Sequence, residues 1–227
     1  TAALKASGFY EEYPNTVPVA EIRFELTGRR GLGKNSLMIL DLIDQIARDG
    51  WQRPVYFAIT ASRDVFMDLD PYLHREGLGY RLIPATGAGN DMFAGNVNAD
   101  VMYENLMNKF RWGNIQDSTV YLDENNLRML TNFRYTFATL ANAFHERGED
   151  DRAREVLERA LSLMPNERVP FNAAIIPLIQ IYYSLGDNDN AAEIIRTYSN
   201  MLEQELDYFA VLSGENLRRM ALTRSDM

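Results

Sequence analysis

A chain of 227 residues, 46% hydrophobic, 11% aromatic and 24% charged, has the make-up of a globular protein long enough for one large domain or two small ones. Its 23 Lys+Arg against 32 Asp+Glu leave a net charge of −9, which argues against gripping a nucleic-acid backbone, a task that needs clustered cations. The absence of cysteine excludes disulfides, thiol nucleophiles and thiolate metal sites, without fixing the compartment.

The chain opens on Thr1, with no basic, apolar and small-residue sequence of a signal peptide, and reads as an excised or processed piece. A membrane helix needs roughly 18 consecutive apolar residues. The densest runs, Leu37–Ile43 and Ala173–Ile179, are short and interrupted by Asp41 and Pro177, so no transmembrane segment is expected within the chain.

Residues 1–98 carry ten Lys+Arg and twelve Asp+Glu and are punctuated by Gly and Pro, whereas residues 99–227 carry thirteen and twenty. In the first part, Ala20–Leu26 alternates apolar and charged residues as a half-buried strand does, and Val55–Thr60 is a short apolar run suited to a buried strand. Between them Ile39, Leu42, Ile43 and Ile46 mark one helix face, which Gly50 is placed to end. A third strand is expected at Gly79–Ile83, then a loop from Pro84 to Asn98.

The second part carries a repeat. A shift of 38 residues superposes Leu140 on Leu178, Phe144 on Tyr182, Gly148 on Gly186, Ala153 on Ala191 and Leu157 on Ile195. Phe137, Leu140, Ala141, Phe144, Gly148, Ala153, Leu157, Ala160 and Pro165 occupy the positions of a 34-residue helix-turn-helix unit, so residues 134–167 resemble a tetratricopeptide (TPR) repeat. A weaker copy covers about 172–205, with Ile179, Tyr198 and Glu203 where the pattern has small residues and Pro. Two repeats need neighbours to bury their faces, so packing helices are expected at Ala99–Trp112, at Leu122–Thr131 and from Asp207 onward. The expected fold class is α+β: a small mixed α/β N-terminal subdomain (1–98), then an all-α TPR-like array of helical hairpins (99–227).

Three features invite chemistry. Gly28–Ser36 nearly spells a phosphate loop, but Asn35 stands where G-x-x-x-x-G-K-[ST] needs the hydroxyl that holds magnesium; a helix cap by Asn35 or Ser36 is the simpler reading. Asp64, Asp68 and Asp70 match no calcium-loop spacing and read as a solvated turn before Pro71. His74 and His145 have no H-E-x-x-H companion. No catalytic residue is therefore assigned, and neither a metal nor a cofactor is expected. The concave face of the repeats is the surface with a general reason to bind: Tyr135, Ala138, Asn142 and His145 from the first unit, Ala173, Ile176, Gln180 and Tyr183 from the second. It lacks the cations that grip a peptide's terminal carboxylate, and the chain's own α/β half is an alternative occupant.

Lys34–Asp41, Trp51–Ala58, Met102–Asn114 and Tyr121–Glu124, leading into the repeats, together resemble the soluble C-terminal region of a bacterial multi-pass membrane family. That family is domain of unknown function 2723, classed as glycosyltransferase family 117 and similar to protein O-mannosyltransferases. The resemblance implies an accessory, non-catalytic module on the periplasmic side, anchored through a missing N-terminal region, with catalytic carboxylates in the membrane portion. Its partner would be a protein, a peptide or its own membrane domain. The competing readings are a free-standing TPR scaffold and a nucleotide- or carbohydrate-active enzyme built on Gly28–Ser36.

Overall fold

The computed structural model describes residue 4 and residues 9–13, 16–23, 31–87 and 96–211. Over these the chain is α+β, with short strands in the N-terminal part and helices in the C-terminal part. Helix α1 (Lys34–Arg48) buries Ile43 and Ile46, with Ile39 half-buried one turn earlier, while Leu42 stays 44% exposed. The apolar face is thus narrower than expected and follows the i, i+4, i+7 stripe. Gly50 ends the helix at φ +71°, a conformation that costs a glycine little.

Strands β2 (Val55–Ala58), β3 (Leu73–Arg75), β4 (Gly79–Leu82) and β6 (Asn96–Val97) form a sheet ordered β2-β4-β3-β6, antiparallel except for the β3–β6 pair. Strand β1 (Thr16–Pro18) pairs antiparallel with β5 (Ala85–Gly87) in a separate two-stranded ladder. Several expectations are corrected. Val55–Ala58 is an edge strand whose residues alternate buried and exposed, not a strand buried on both faces. Ala20–Arg23 is irregular, because the Arg23 N–H donates to the Tyr72 hydroxyl at 2.9 Å instead of to a neighbouring strand; Phe24–Leu26 lie outside the described residues. The expected Pro84–Asn98 loop holds β5 and β6 at its two ends, and residues 88–95 between them lie outside the described set. Ile43, Ile46, Val55, Phe57, Phe66, Leu69, Leu73 and Leu82 make the core beneath α1.

Helix α2 (Ala99–Tyr103) is capped by Asn98, whose Oδ1 accepts the Val101 N–H at 3.3 Å. It runs on as a π-helical segment, Glu104–Lys109, closed by the Phe110 N–H donating to the Asn105 carbonyl at 2.8 Å. Helices α3 (Glu124–Glu146) and α4 (Asp150–Leu163) make one hairpin, α5 (Ile176–Ser184) and α6 (Asn188–Val211) a second. The separate helix expected at Leu122–Thr131 is absorbed into α3. Asp123 caps it at 2.7 Å to the Asn126 N–H, and no Gly or Pro interrupts the next 23 residues. The segment from Asp207 likewise continues α6 as far as Val211.

The 38-residue register appears in the geometry. Gly148 and Gly186 take φ of +75° and +74°, and the following N–H groups of Glu149 and Asp187 each donate at 2.9 Å to the carbonyls of Phe144 and Tyr182. Ala153 and Ala191 are fully buried and let the helices of each pair approach. The second hairpin is shorter on its first helix: Pro177, which has no N–H to donate, sits in the first turn of α5, behind a 3₁₀ turn at Ala173–Ile175. Arg134, fully buried in mid-α3, ties down the loop after α4, with Nη2 donating to the carbonyls of Met164 (2.9 Å) and Val169 (2.7 Å). Burial lowers its pKa to about 10, so it stays charged at neutral pH while resting on the Phe171 ring.

Candidate functional site

Strand β3 runs out of the sheet core with three consecutive polar residues, His74, Arg75 and Glu76, all at most 5% exposed. A buried polar group must find a partner, and each of these does. His74 Nε2 lies 3.3 Å from the Ala85 carbonyl with the Tyr13 ring against it, and burial lowers its pKa to about 4, so it is neutral at physiological pH. Arg75 reaches the helices, its Nη2 donating to Thr136 Oγ1 at 2.7 Å and its Nη1 to Thr139 Oγ1 at 3.1 Å, both on α3. Glu76 accepts the hydroxyls of Tyr13 and of Tyr56 (2.6 Å) on its two carboxylate oxygens. Burial, then that hydrogen bond, pushes the Tyr56 phenol up to about 12 and Tyr13 higher still.

Backbone bonds fix this strand end further. Its Glu76 carbonyl accepts the Asn105 side-chain amide at 2.7 Å, and its Arg75 carbonyl accepts the Asn98 N–H at 3.0 Å. Gly77, at φ +117°, lets the turn lie against the Phe110 ring, where an added Cβ would stand 3.3 Å away.

In front of Glu76 opens a cavity of about 500 Å³, in the ~300–1,000 Å³ range of small-molecule sites. Its walls come from the 3₁₀ turn Phe9–Glu12 (Glu11, Glu12), the sheet (Tyr56, Glu76, Arg81) and the α2–π-helical segment (Asn98, Asp100, Val101, Asn105, Lys109). Arg81 Nη1 lies 3.8 Å from Glu76 Oε1 and 3.9 Å from Glu12 Oε2, longer than hydrogen bonds, with the guanidinium over the Phe9 and Tyr13 rings. Asp100, partly desolvated, is nevertheless held below the usual carboxylate range by Arg147 and Arg152.

The sequence-predicted groove residues lie elsewhere. Tyr135, Asn142 and His145 are half-buried on α3; Ile176, Gln180 and Tyr183 are exposed on α5, with Ile176 at 44% and Tyr183 at 49%. His145 Nδ1 meets Asp150 Oδ1 at 2.8 Å across the α3–α4 turn, and Asn142 donates to Glu146 at 2.8 Å, so both are engaged locally. In the near-phosphate loop, Gly28–Arg30 lie outside the described residues, Gly33 is the helix N-cap, and neither Asn35 nor Ser36 caps α1. Asp68 sits in a left-handed turn at φ 60° after Met67 at φ 49°, and Asp64 accepts the Ser62 hydroxyl. Among the described residues no three His, Asp or Glu side chains are grouped to hold a metal.

Sequence reasoning missed Tyr13, Tyr56, Glu76, Arg81 and Asn105. The available signal was the pair Gly77 and Gly79 after three polar residues, which reads as an exposed turn and here marks a close packing contact. No helix among the described residues is long and apolar enough to cross a membrane. No curated protein and no solved structure matches the chain. Residues 1–101, the part bearing the sheet and the start of α2, match the family TMEM260-associated domain 2, so the chain is similar to a TMEM260-related family over that part and resembles a domain that accompanies a membrane protein.

Proposed function

We propose that the chain is a non-catalytic interaction module of a TMEM260-related membrane protein. In this reading residues 1–98 and 99–227 are its two subdomains, and the hairpins at 134–167 and 172–205 serve as TPR-like repeats that dock a protein, a peptide or the parent's own membrane portion. The finer placement, on the periplasmic side of a glycosyltransferase-like parent, follows from the resemblance of Lys34–Asp41, Trp51–Ala58, Met102–Asn114 and Tyr121–Glu124. The observation that carries the reading is the outward face of α5, where Ile176, Gln180 and Tyr183 recur at i, i+4 and i+7 and stay exposed while Leu178, Ile179, Ile181 and Tyr182 are buried on the side packed by α3 and α6. The deeply buried carboxylate Glu76 is spent on two tyrosine hydroxyls, which supports a structural role for it.

A photo-crosslinking residue at Gln180 of the parent protein in its native membranes tests this, with the exposed Glu193 on α6 as control. Discrete protein adducts from Gln180, absent from Glu193, are expected. Equal labelling from both, or none from either, would count against a docking role.

A further inference from the structure

The cavity before Glu76 is lined by charges of both signs, some of them only loosely paired or without an ion pair among the described residues. The shortest approaches of Arg81 to the lining carboxylates, 3.8 Å to Glu76 and 3.9 Å to Glu12, are longer than hydrogen bonds, so its guanidinium keeps donor capacity toward a carboxylate. Lys109, exposed at the end of the π-helical segment, forms no ion pair among the described residues. Glu11 likewise has no cationic partner there, and Glu12 has the distant contact to Arg81 alone. The other two lining carboxylates are satisfied: Glu76 by Tyr13 and Tyr56, Asp100 by Arg147 and Arg152.

The walls are fixed. Phe9 and Tyr13 hold the Arg81 guanidinium from one face, at 5.1 and 5.7 Å to their ring centroids. The wall bearing Lys109 is the π-helical turn, pinned where Asn105 donates to the Glu76 carbonyl at 2.7 Å. Such turns recur at functional sites. A simple anion attracted to Arg81 and Lys109 meets the Glu11–Glu12 pair, and a simple cation attracted to that pair meets Arg81 and Lys109. A ligand carrying both signs satisfies both sets.

We propose that this cavity binds a small zwitterion of amino-acid or dipeptide size, its carboxylate on Arg81 and Lys109 and its ammonium on Glu11 and Glu12. The proposal goes beyond the docking role of α5 and does not depend on it. Titration calorimetry of the 227-residue chain at low ionic strength tests it with glycylglycine as probe, against acetate and ethylammonium as single-charge fragments and glucose as a neutral polyol. Expected are saturable binding of glycylglycine, at least tenfold weaker binding of either fragment, and at least threefold weakening in Lys109→Gln and in Glu11→Gln, whose melting temperatures stay those of the parent chain. Silence toward glycylglycine, unchanged affinity in both variants, or glucose binding tighter than glycylglycine would overturn the proposal. The Gln180 crosslink is untouched by any of these results, so the two readings fail separately.

Discussion

Glu76 shows how one side chain is committed by its surroundings. With both oxygens taken by tyrosine hydroxyls, Glu76→Gln keeps the volume but offers one hydroxyl a neutral amide oxygen and turns a donating amide NH2 toward the other, and loss of a charge-assisted bond costs about 1–3 kcal/mol. Ultraviolet titration of that variant should bring the Tyr56 phenol down from about 12 while leaving it above 10, because burial is the larger cause of its shift. His74 predicts a pH dependence. Its folded pKa is about 4 against an ordinary 6.5, so between those values the unfolded chain binds more protons. Stability from this residue is therefore complete above pH 6.5 and falls as pH drops toward 4, by at most roughly 3 kcal/mol. Urea midpoints at pH 7.5 and 5 should show the loss, and His74→Gln should flatten that interval. None of this was legible beforehand: the partners come from 61 and 64 positions away for Arg75 and 63 for Glu76, and three polar residues before a glycine carry no local mark of burial.

At the level of elements, legibility follows length and punctuation. The helical hairpins are long, periodic and bounded by Gly148, Gly186 and Pro165, so side-chain spacing alone locates them. The strands have two to four residues each: β2 and β4 fall within the expected runs Val55–Thr60 and Gly79–Ile83, whereas β1, β3, β5 and β6 are too short for alternation to register, and β3 contradicts its own composition because Arg75 finds its partners on a helix 61 and 64 positions away. Leu122–Thr131 shows the converse, a helix boundary inferred from repeat arithmetic where no breaker residue supports it. Two glycines separate the kinds of constraint involved. Gly148→Ala meets open space and loses only the left-handed turn, about 1 kcal/mol, whereas Gly77→Ala also drives a methyl to 3.3 Å from Phe110 and should cost clearly more in chemical denaturation. The larger loss at Gly77 should also shift Phe110 and Asn105 resonances in an NMR spectrum, since that contact seats the π-helical turn.

Across the whole molecule, the sheet and the helices are joined by hydrogen bonds at a single strand end, Arg75 to Thr136 and Thr139, Asn105 to the Glu76 carbonyl and Asn98 to the Arg75 carbonyl, and the Asn98 side chain adds a bond to the Glu12 carbonyl at 2.8 Å. The threonine hydroxyls also bond back to the Asn132 and Tyr135 carbonyls, so Arg75 adds to a satisfied helix. These bonds couple the part similar to TMEM260-associated domain 2 to the helical hairpins, so that the two unfold together. Differential scanning calorimetry reads that coupling. One transition is expected for the parent chain, with calorimetric and van't Hoff enthalpies equal, and a split into two in Arg75→Met. Two separable transitions already present in the parent chain would contradict it.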